Sequence, residues 1–202
     1  MHWCPTGDFT FLPLHAACAQ PRGSHTSDFF VSSYTPTLAA LLKAKKTTQN
    51  IKLSNARTLL VAVPNAPGLP ILSNVRDEVN SVARILSSPS TTTTLGALEG
   101  TIINVQDVLS HMPSTNILHL ACHGVQDPHN PLESGFCLHD GRLTVKRLKQ
   151  LDLAQALFAF LSACETAKGD GNQPDQTVHL AAAMLFIGFR SVVATMWYVP
   201  PV

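Results

Sequence analysis

Two short stretches hold the residue types needed for nucleophilic chemistry. The first reads His119-Leu-Ala-Cys122-His123-Gly124, the second Leu161-Ser-Ala-Cys164-Glu-Thr166, and each closes an apolar run just before the chain turns polar. A cysteine attacks as its thiolate, yet a free thiol with a pKa of ~8.5 is only slightly ionised at neutral pH. A nearby imidazole can take the proton and later return it to a leaving amine. His123 and Cys164 are the candidates for that exchange. Gly124 has no side chain, so its N–H can approach a substrate carbonyl closely. With the backbone N–H of Cys164 it would form an oxyanion hole, the element that stabilises charge developing on the carbonyl oxygen. Acyl transfer is the reaction class these parts suit.

The same residues admit plainer readings. A cysteine on an apolar strand serves equally as a small buried hydrophobe, and a histidine at a strand end as a satisfied structural residue. A metal site is the other rival, because Cys122, His123, His129, Cys137 and His139 lie close together in the sequence. Their spacing matches neither a zinc finger nor a paired Cys-x-x-Cys set, and adjacent Cys122 and His123 would face opposite sides of a strand. No Gly-x-Ser-x-Gly elbow, phosphate-binding Gly-x-x-x-x-Gly-Lys-Ser/Thr loop or His-Glu-x-x-His pair is present. Gly169-Asp-Gly171 is too short for a dinucleotide fingerprint and reads as a turn.

Both stretches need strands behind them. Thr58-Leu-Leu-Val-Ala-Val63, Asn116-Ile-Leu-His-Leu-Ala-Cys122, Ala156-Leu-Phe-Ala-Phe-Leu-Ser162 and Ser191-Val-Val-Ala-Thr-Met196 are short β-like runs. Three are nearly continuous in apolar character, as strands covered on both faces are; the run around His119 is the exception. Val75, Val79, Val82 and Leu86 repeat at helical spacing, and we expect Arg76, Asp77 and Glu78 to turn away from that apolar face. Ile102–Leu109 and Val145–Leu151 are shorter helical candidates. Val178–Phe189 is apolar nearly all round, a buried helix with Gly188 near its C-terminal end. Strand and helix in alternation predict a parallel sheet with helices on both sides. In such a sheet the binding crevice lies beyond the carboxyl ends of the strands, where both stretches fall. The segment from Gly124 to Ala163 is long enough for a turn, a helix and a return strand, so the two strands can be neighbours. His139-Asp-Gly-Arg142 reads as a tight hairpin turn built on Asp-Gly. Residues 43–57 read as a polar loop or surface insertion, and 87–94 as a hydroxyl-rich link.

Composition narrows the function classes. Of 202 residues 45% are hydrophobic and 13% charged, about half the usual ~25%, which favours collapse into one domain over disorder. A net charge of +1 gives no broad basic field for nucleic acid or anionic lipid. Five scattered cysteines form no compact disulfide framework, and the longest apolar stretch, Leu180–Phe189, is too short to span a membrane. Phe9–Ala17 with Ala17-Cys18-Ala19 imitates a secretion signal, but no Lys or Arg precedes it, and Pro13 and His15 interrupt it. The expectation is a soluble intracellular, cytoplasmic protein without nucleic-acid or membrane partners.

The wider sequence resembles the CHAT domain, a caspase- and separase-like cysteine peptidase module often found after tetratricopeptide repeats. The stretches that carry the resemblance run in family order along nearly the whole chain. They are Phe9-Thr-Phe-Leu-Pro-Leu-His-Ala-Ala17, Val31-Ser-Ser-Tyr-Thr-Pro-Thr-Leu38, His119-Leu-Ala-Cys-His-Gly-Val-Gln-Asp-Pro128, Ser134-Gly-Phe-Cys-Leu-His-Asp-Gly-Arg-Leu143, Leu161-Ser-Ala-Cys-Glu-Thr-Ala167, and Val178-His-Leu-Ala-Ala-Ala183 through Arg190-Ser-Val-Val-Ala-Thr-Met-Trp197. The resemblance implies a caspase-like three-layer α/β/α sandwich with a mostly parallel sheet. It implies His123 and Cys164 as a catalytic dyad that hydrolyses peptide bonds of protein substrates through a thioester, with no metal or organic cofactor. Asp127 and Asp170, just beyond the dyad residues, are expected on the substrate side, where they would favour a basic P1 side chain. Tetratricopeptide-repeat segments are the partners the resemblance suggests. The chain opens at Met1-His-Trp-Cys-Pro, already inside the family pattern, and stops at Tyr198-Val-Pro-Pro-Val202, where the family continues. A single CHAT-like domain over 1–202, incomplete at both termini, is therefore expected. The alternative is a catalytically silent interaction scaffold or a non-functional fragment.

Overall fold

Leu59 is 1% exposed, and Leu60, Val61 and Ala62 are wholly buried, the burial of a strand covered on both faces. The computed structural model describes residues 1–19, 23–46, 55–86, 91–127, 129–162 and 180–195. In chain order, His2–Trp3 (β1) and Ser33–Tyr34 (β2) form a short parallel pair, with the helical turn Thr26–Phe29 (α1) between them. Leu38–Lys46 (α2) follows. The main alternation is Thr58–Ala62 (β3), Val75–Ile85 (α3), Thr92–Leu95 (β4), Val105–His111 (α4) and Ile117–Ala121 (β5). An antiparallel excursion comes next: His123–Val125 (β6), Gly135–Leu138 (β7) and Gly141–Thr144 (β8), running into Val145–Leu148 (α5). Phe158–Ser162 (β9), Leu180–Ile187 (α6) and Ser191–Ala194 (β10) complete the described elements.

The main sheet has the order β10-β9-β5-β3-β4, and every neighbouring pair in it is parallel. Alternate residues of its strands serve two apolar layers. Leu59, Val61, Leu118, Leu120 and Leu161 share one core with Val105 and Val108 of α4, Leu148 of α5, Leu180 and Met184 of α6, and Phe136 of the antiparallel excursion. Leu60, Ala62 and Ala121 point the other way, against Val75 and Val79 of α3. Helices therefore cover both faces of a mostly parallel sheet, which is the three-layer α/β/α arrangement expected.

Local chemistry moves some boundaries. Helix α4 begins at Val105 rather than at Ile102 because Asn104 and Asp107 form a capping box, the Asn104 N–H donating to Asp107 Oδ2 at 2.8 Å. Gly188 takes φ +136° just beyond α6, and the Phe189 N–H returns to the Met184 carbonyl at 3.1 Å, closing the helix as its glycine suggested; the helix is buried over Leu180–Met184, whereas Phe186 is exposed. In the β7–β8 hairpin Leu138 pairs with Gly141, so the two-residue loop is His139-Asp140, and Gly141, at φ +143°, opens the return strand. The Asp-Gly pair is thus one position off the expected loop. The polar stretch 43–57 starts as the end of α2 rather than as a loop, with residues 47–54 outside the described set. Likewise the hydroxyl-rich link yields a strand. Thr92–Leu95 pairs with β3 at the sheet edge, where β-branched threonines suit extended backbone and their hydroxyls need no deep burial; residues 87–90 lie outside the described set.

Candidate active site

The strand order reverses between β3 and β5: β4 lies on one side of β3, and β5, with β9 and β10 beyond it, on the other. In an open parallel sheet the crevice at such a reversal, past the carboxyl ends of the strands, is the natural ligand site. Two loops leave the sheet there. The chain after β3 runs through Pro70 and Ile71 to α3, and the chain after β5 passes through Cys122 into β6 at His123.

These loops meet through one hydrogen bond. His123 Nε2 lies 2.7 Å from the Pro70 carbonyl oxygen. A carbonyl only accepts, so Nε2 carries the hydrogen and the neutral ring keeps its lone pair on Nδ1. The backbone of Pro70 thereby fixes the tautomer and orientation of His123 and leaves Nδ1 as the nitrogen able to accept a proton. His123 is half-buried and Gly124, next along β6, is buried where it pairs with Phe136 of β7. Gly96 holds another loop against this edge. It has φ +81°, and a Cβ there would sit 2.0 Å from the Ala62 carbonyl oxygen at the end of β3, so only glycine fits.

Asp127 is tied into its own loop. Its Oδ1 accepts the N–H groups of His129 and Asn130 at 3.0 and 2.9 Å, while its own N–H donates to Ser134 Oγ. His139 braces the neighbouring loops: its Nδ1 accepts the Ile103 N–H at 2.9 Å and its Nε2 lies 3.2 Å from Asn65 Oδ1. Cys164 and Asp170 lie outside the described residues.

Cys122, although it precedes His123 directly, is a poor nucleophile. It is wholly buried, and burial, reinforced by the neighbouring Cys137, pushes its thiol far above the ordinary cysteine range. Burial also raises Cys137, with the Arg142 guanidinium opposing part of that rise. Among the described residues no group of three or more His, Cys, Asp or Glu side chains is gathered to hold a metal ion. Nor, among them, is any helix long and apolar enough to cross a membrane.

One polar cluster beneath the sheet contradicts the expectation for α3. Glu78 is not turned away; it faces β5 and β9. Its Oε1 is 2.8 Å from His119 Nε2 on β5, and its Oε2 accepts the Ser162 hydroxyl on β9 at 2.9 Å. Counting shows why: Glu78 stands three residues after Val75 and four before Val82, so it belongs to the apolar stripe. Burial acts to raise its carboxyl pKa, but the hydrogen bonds from His119 and Ser162 and the His119 charge overcome that and hold it below the ordinary value. The signal was present in the sequence as an acid on the buried stripe and a histidine inside an apolar strand. The Pro70 carbonyl had none, since a backbone acceptor leaves no mark on residue type.

This architecture is the caspase-like α/β/α fold. Solved structures with the same arrangement include the Arg-specific cysteine proteinase gingipain R (RgpB), at TM-score 0.55 and 14% identity over 84% of this chain. Another is the complex of Porphyromonas gingivalis RgpB pro- and mature domains, at TM-score 0.54 and 13% identity over the same share. The chain spans 41% of the length of each of these proteinases. The CHAT domain model matches residues 1–201, and the chain belongs to the CHAT domain family. A search of curated proteins finds no match.

Proposed function

We propose that this protein is a cysteine endopeptidase in which His123 and Cys164 act as a dyad on peptide bonds of protein substrates. The observation that carries the reading is the Pro70–His123 hydrogen bond of 2.7 Å, which prepares Nδ1 as a base at the switch point of the sheet. Matched spacing supports the pairing of His123 with Cys164. Ala121 and Ser162 are register partners on adjacent parallel strands, His123 follows the first by two residues and Cys164 follows the second by two.

In the proposed reaction His123 Nδ1 takes the Cys164 thiol proton, and the sulfur bonds to the substrate carbonyl carbon. The N–H groups of Gly124 and Cys164 stabilise the resulting oxyanion. Collapse breaks the C–N bond, and His123 passes the proton to the leaving amine. Water then adds to the thioester with His123 as base, the S–C bond breaks, and the thiol is restored. No step draws on a metal or organic cofactor. In this reading Asp127 and Asp170 favour a basic P1 side chain. Neutralising Asp170 should accordingly weaken cleavage after Arg or Lys selectively, and an equal loss on all substrates would count against that role.

The test is intact-mass analysis and peptide mapping after exposure to electrophilic peptidyl probes, with His123→Ala alongside. Labelling at Cys164 that depends on His123 supports the assembled dyad. If Cys164 reacts no faster than exposed Cys4 and Cys18, the chain is no peptidase and the interaction-scaffold reading replaces this one.

A further inference from the structure

The Glu78 cluster is not used by the chemistry above, yet it joins the two strands that lead to the proposed dyad. Glu78 gives one carboxylate oxygen to each: Oε1 to His119 of β5 at 2.8 Å, Oε2 to Ser162 of β9 at 2.9 Å. His119 is 6% exposed and its ring stacks obliquely on Phe160 of β9, with centroids 5.0 Å apart. His119 stands four residues before His123, and Ser162 two before Cys164. Backbone hydrogen bonds alone tolerate small shear between parallel strands. A carboxylate fixed on α3 that grips a side chain on each strand removes that freedom near their carboxyl ends.

We infer that Glu78 is a positioning residue: its bridge between His119 and Ser162 sets the relative placement of the carboxyl ends of β5 and β9, which His123 and Cys164 each follow by two residues in the sequence. The inference rests on the dyad reading and adds a residue to it. The described partners of the Glu78 carboxylate are His119 and Ser162, so its role is placement rather than chemistry. Glu78 acts through β5 and β9, and its effect falls on how readily His123 takes the Cys164 proton. Nucleophilic geometry is demanding, since a misplacement of about 1 Å can cost on the order of a hundredfold in rate.

The probe is iodoacetamide, which reports thiolate without needing a substrate: the thiolate carbon–sulfur bond forms and iodide leaves. Its rate at Cys164 is followed by peptide mapping from pH 5 to 9 in the full chain, for the wild type, His123→Ala, Glu78→Ala, Glu78→Gln and Ser162→Ala. Each is assayed below its own thermal transition. Glu78→Ala is expected to raise the midpoint of the Cys164 profile by about one pH unit, slowing the reaction by up to about tenfold at pH values well below the wild-type midpoint. Glu78→Gln should recover to within about threefold, because its amide oxygen can still accept from His119 while its amide nitrogen donates to the Ser162 oxygen. Ser162→Ala should fall between them, and it carries the test if Glu78→Ala does not fold. A bridge that only stabilised the fold would shift melting but leave the profile where it was. Two failures are distinct. If the wild type shows His123-dependent reactivity and a folded Glu78→Ala or Ser162→Ala retains it unchanged, the positioning role is wrong while the dyad stands. If the wild type itself shows no dependence on His123, both are overturned.

Discussion

Removing the Glu78 carboxylate should destabilise the fold in a pH-dependent way, and the structure sets the size. The side chain receives two hydrogen bonds, from His119 at 2.8 Å and Ser162 at 2.9 Å. Hydrogen bonds to a charged group contribute about 1.5–3 kcal/mol each when well buried. Glu78 retains 33% of its side-chain exposure against 7% for His119, so solvent screening pulls its share to the bottom of that range. Part is also cancelled by the cost of withdrawing the carboxylate from water, which acts to raise its pKa. A net loss of about 2 kcal/mol for Glu78→Ala at pH 7 follows, or roughly 4–8 °C in Tm for a domain of this size. The net shift holds the folded-state carboxyl below its ordinary value of 4.5. Its stabilisation is therefore present above that pH and is lost as pH falls through the folded value. Thermal melts of both proteins at intervals from pH 7 to pH 3 would show the gap holding down to about pH 5 and closing below 4.5. A gap that is absent at pH 7, or that stays constant through the acid limb, would refute the bridge as the source of the stability.

Other substitutions test separate parts of the account. Gly96→Ala forces φ +81° on an L residue and drives a Cβ to 2.0 Å from the Ala62 oxygen, so a loss of at least about 2 kcal/mol by urea titration is expected. Leu120→Ala empties a wholly buried position in the larger core and should cost about 2–5 kcal/mol, seen as an earlier but still cooperative melt. Ellman's reagent on the native protein should modify Cys4 and Cys18 while Cys122 and Cys137 stay protected until unfolding; fast reaction of Cys122 would contradict its burial.

Much of this arrangement was legible in residue order. Val61 and Leu161 lie in apolar runs that announce strands buried on both faces, and Val75 and Val79 mark the face of α3. The threonines of β4 carry no strand signal in the sequence, because an edge strand needs extended backbone more than it needs apolar side chains, and a run of hydroxyls reads as a link. The charge of Glu78 suggests exposure, although its position on the helix stripe puts it among buried neighbours. His123 and Gly124 stood out by type and spacing, whereas their partner Pro70 acts through a backbone oxygen that any residue would supply. The register of β5 against β9, which aligns Ala121 with Ser162, depends on which strands are neighbours, and the sequence left that open.

The central claim is peptide-bond hydrolysis, and its most direct measurement is cleavage itself. The full chain would be incubated with a proteome-derived peptide library, and new termini mapped by mass spectrometry for the wild type, His123→Ala and Cys164→Ala. The account predicts cleavage by the wild type that falls by on the order of a thousandfold or more in both variants, since each removes a member of one proton-coupled nucleophile. Undiminished cleavage by Cys164→Ala, or none by a wild type whose Cys164 is demonstrably reactive, would contradict it.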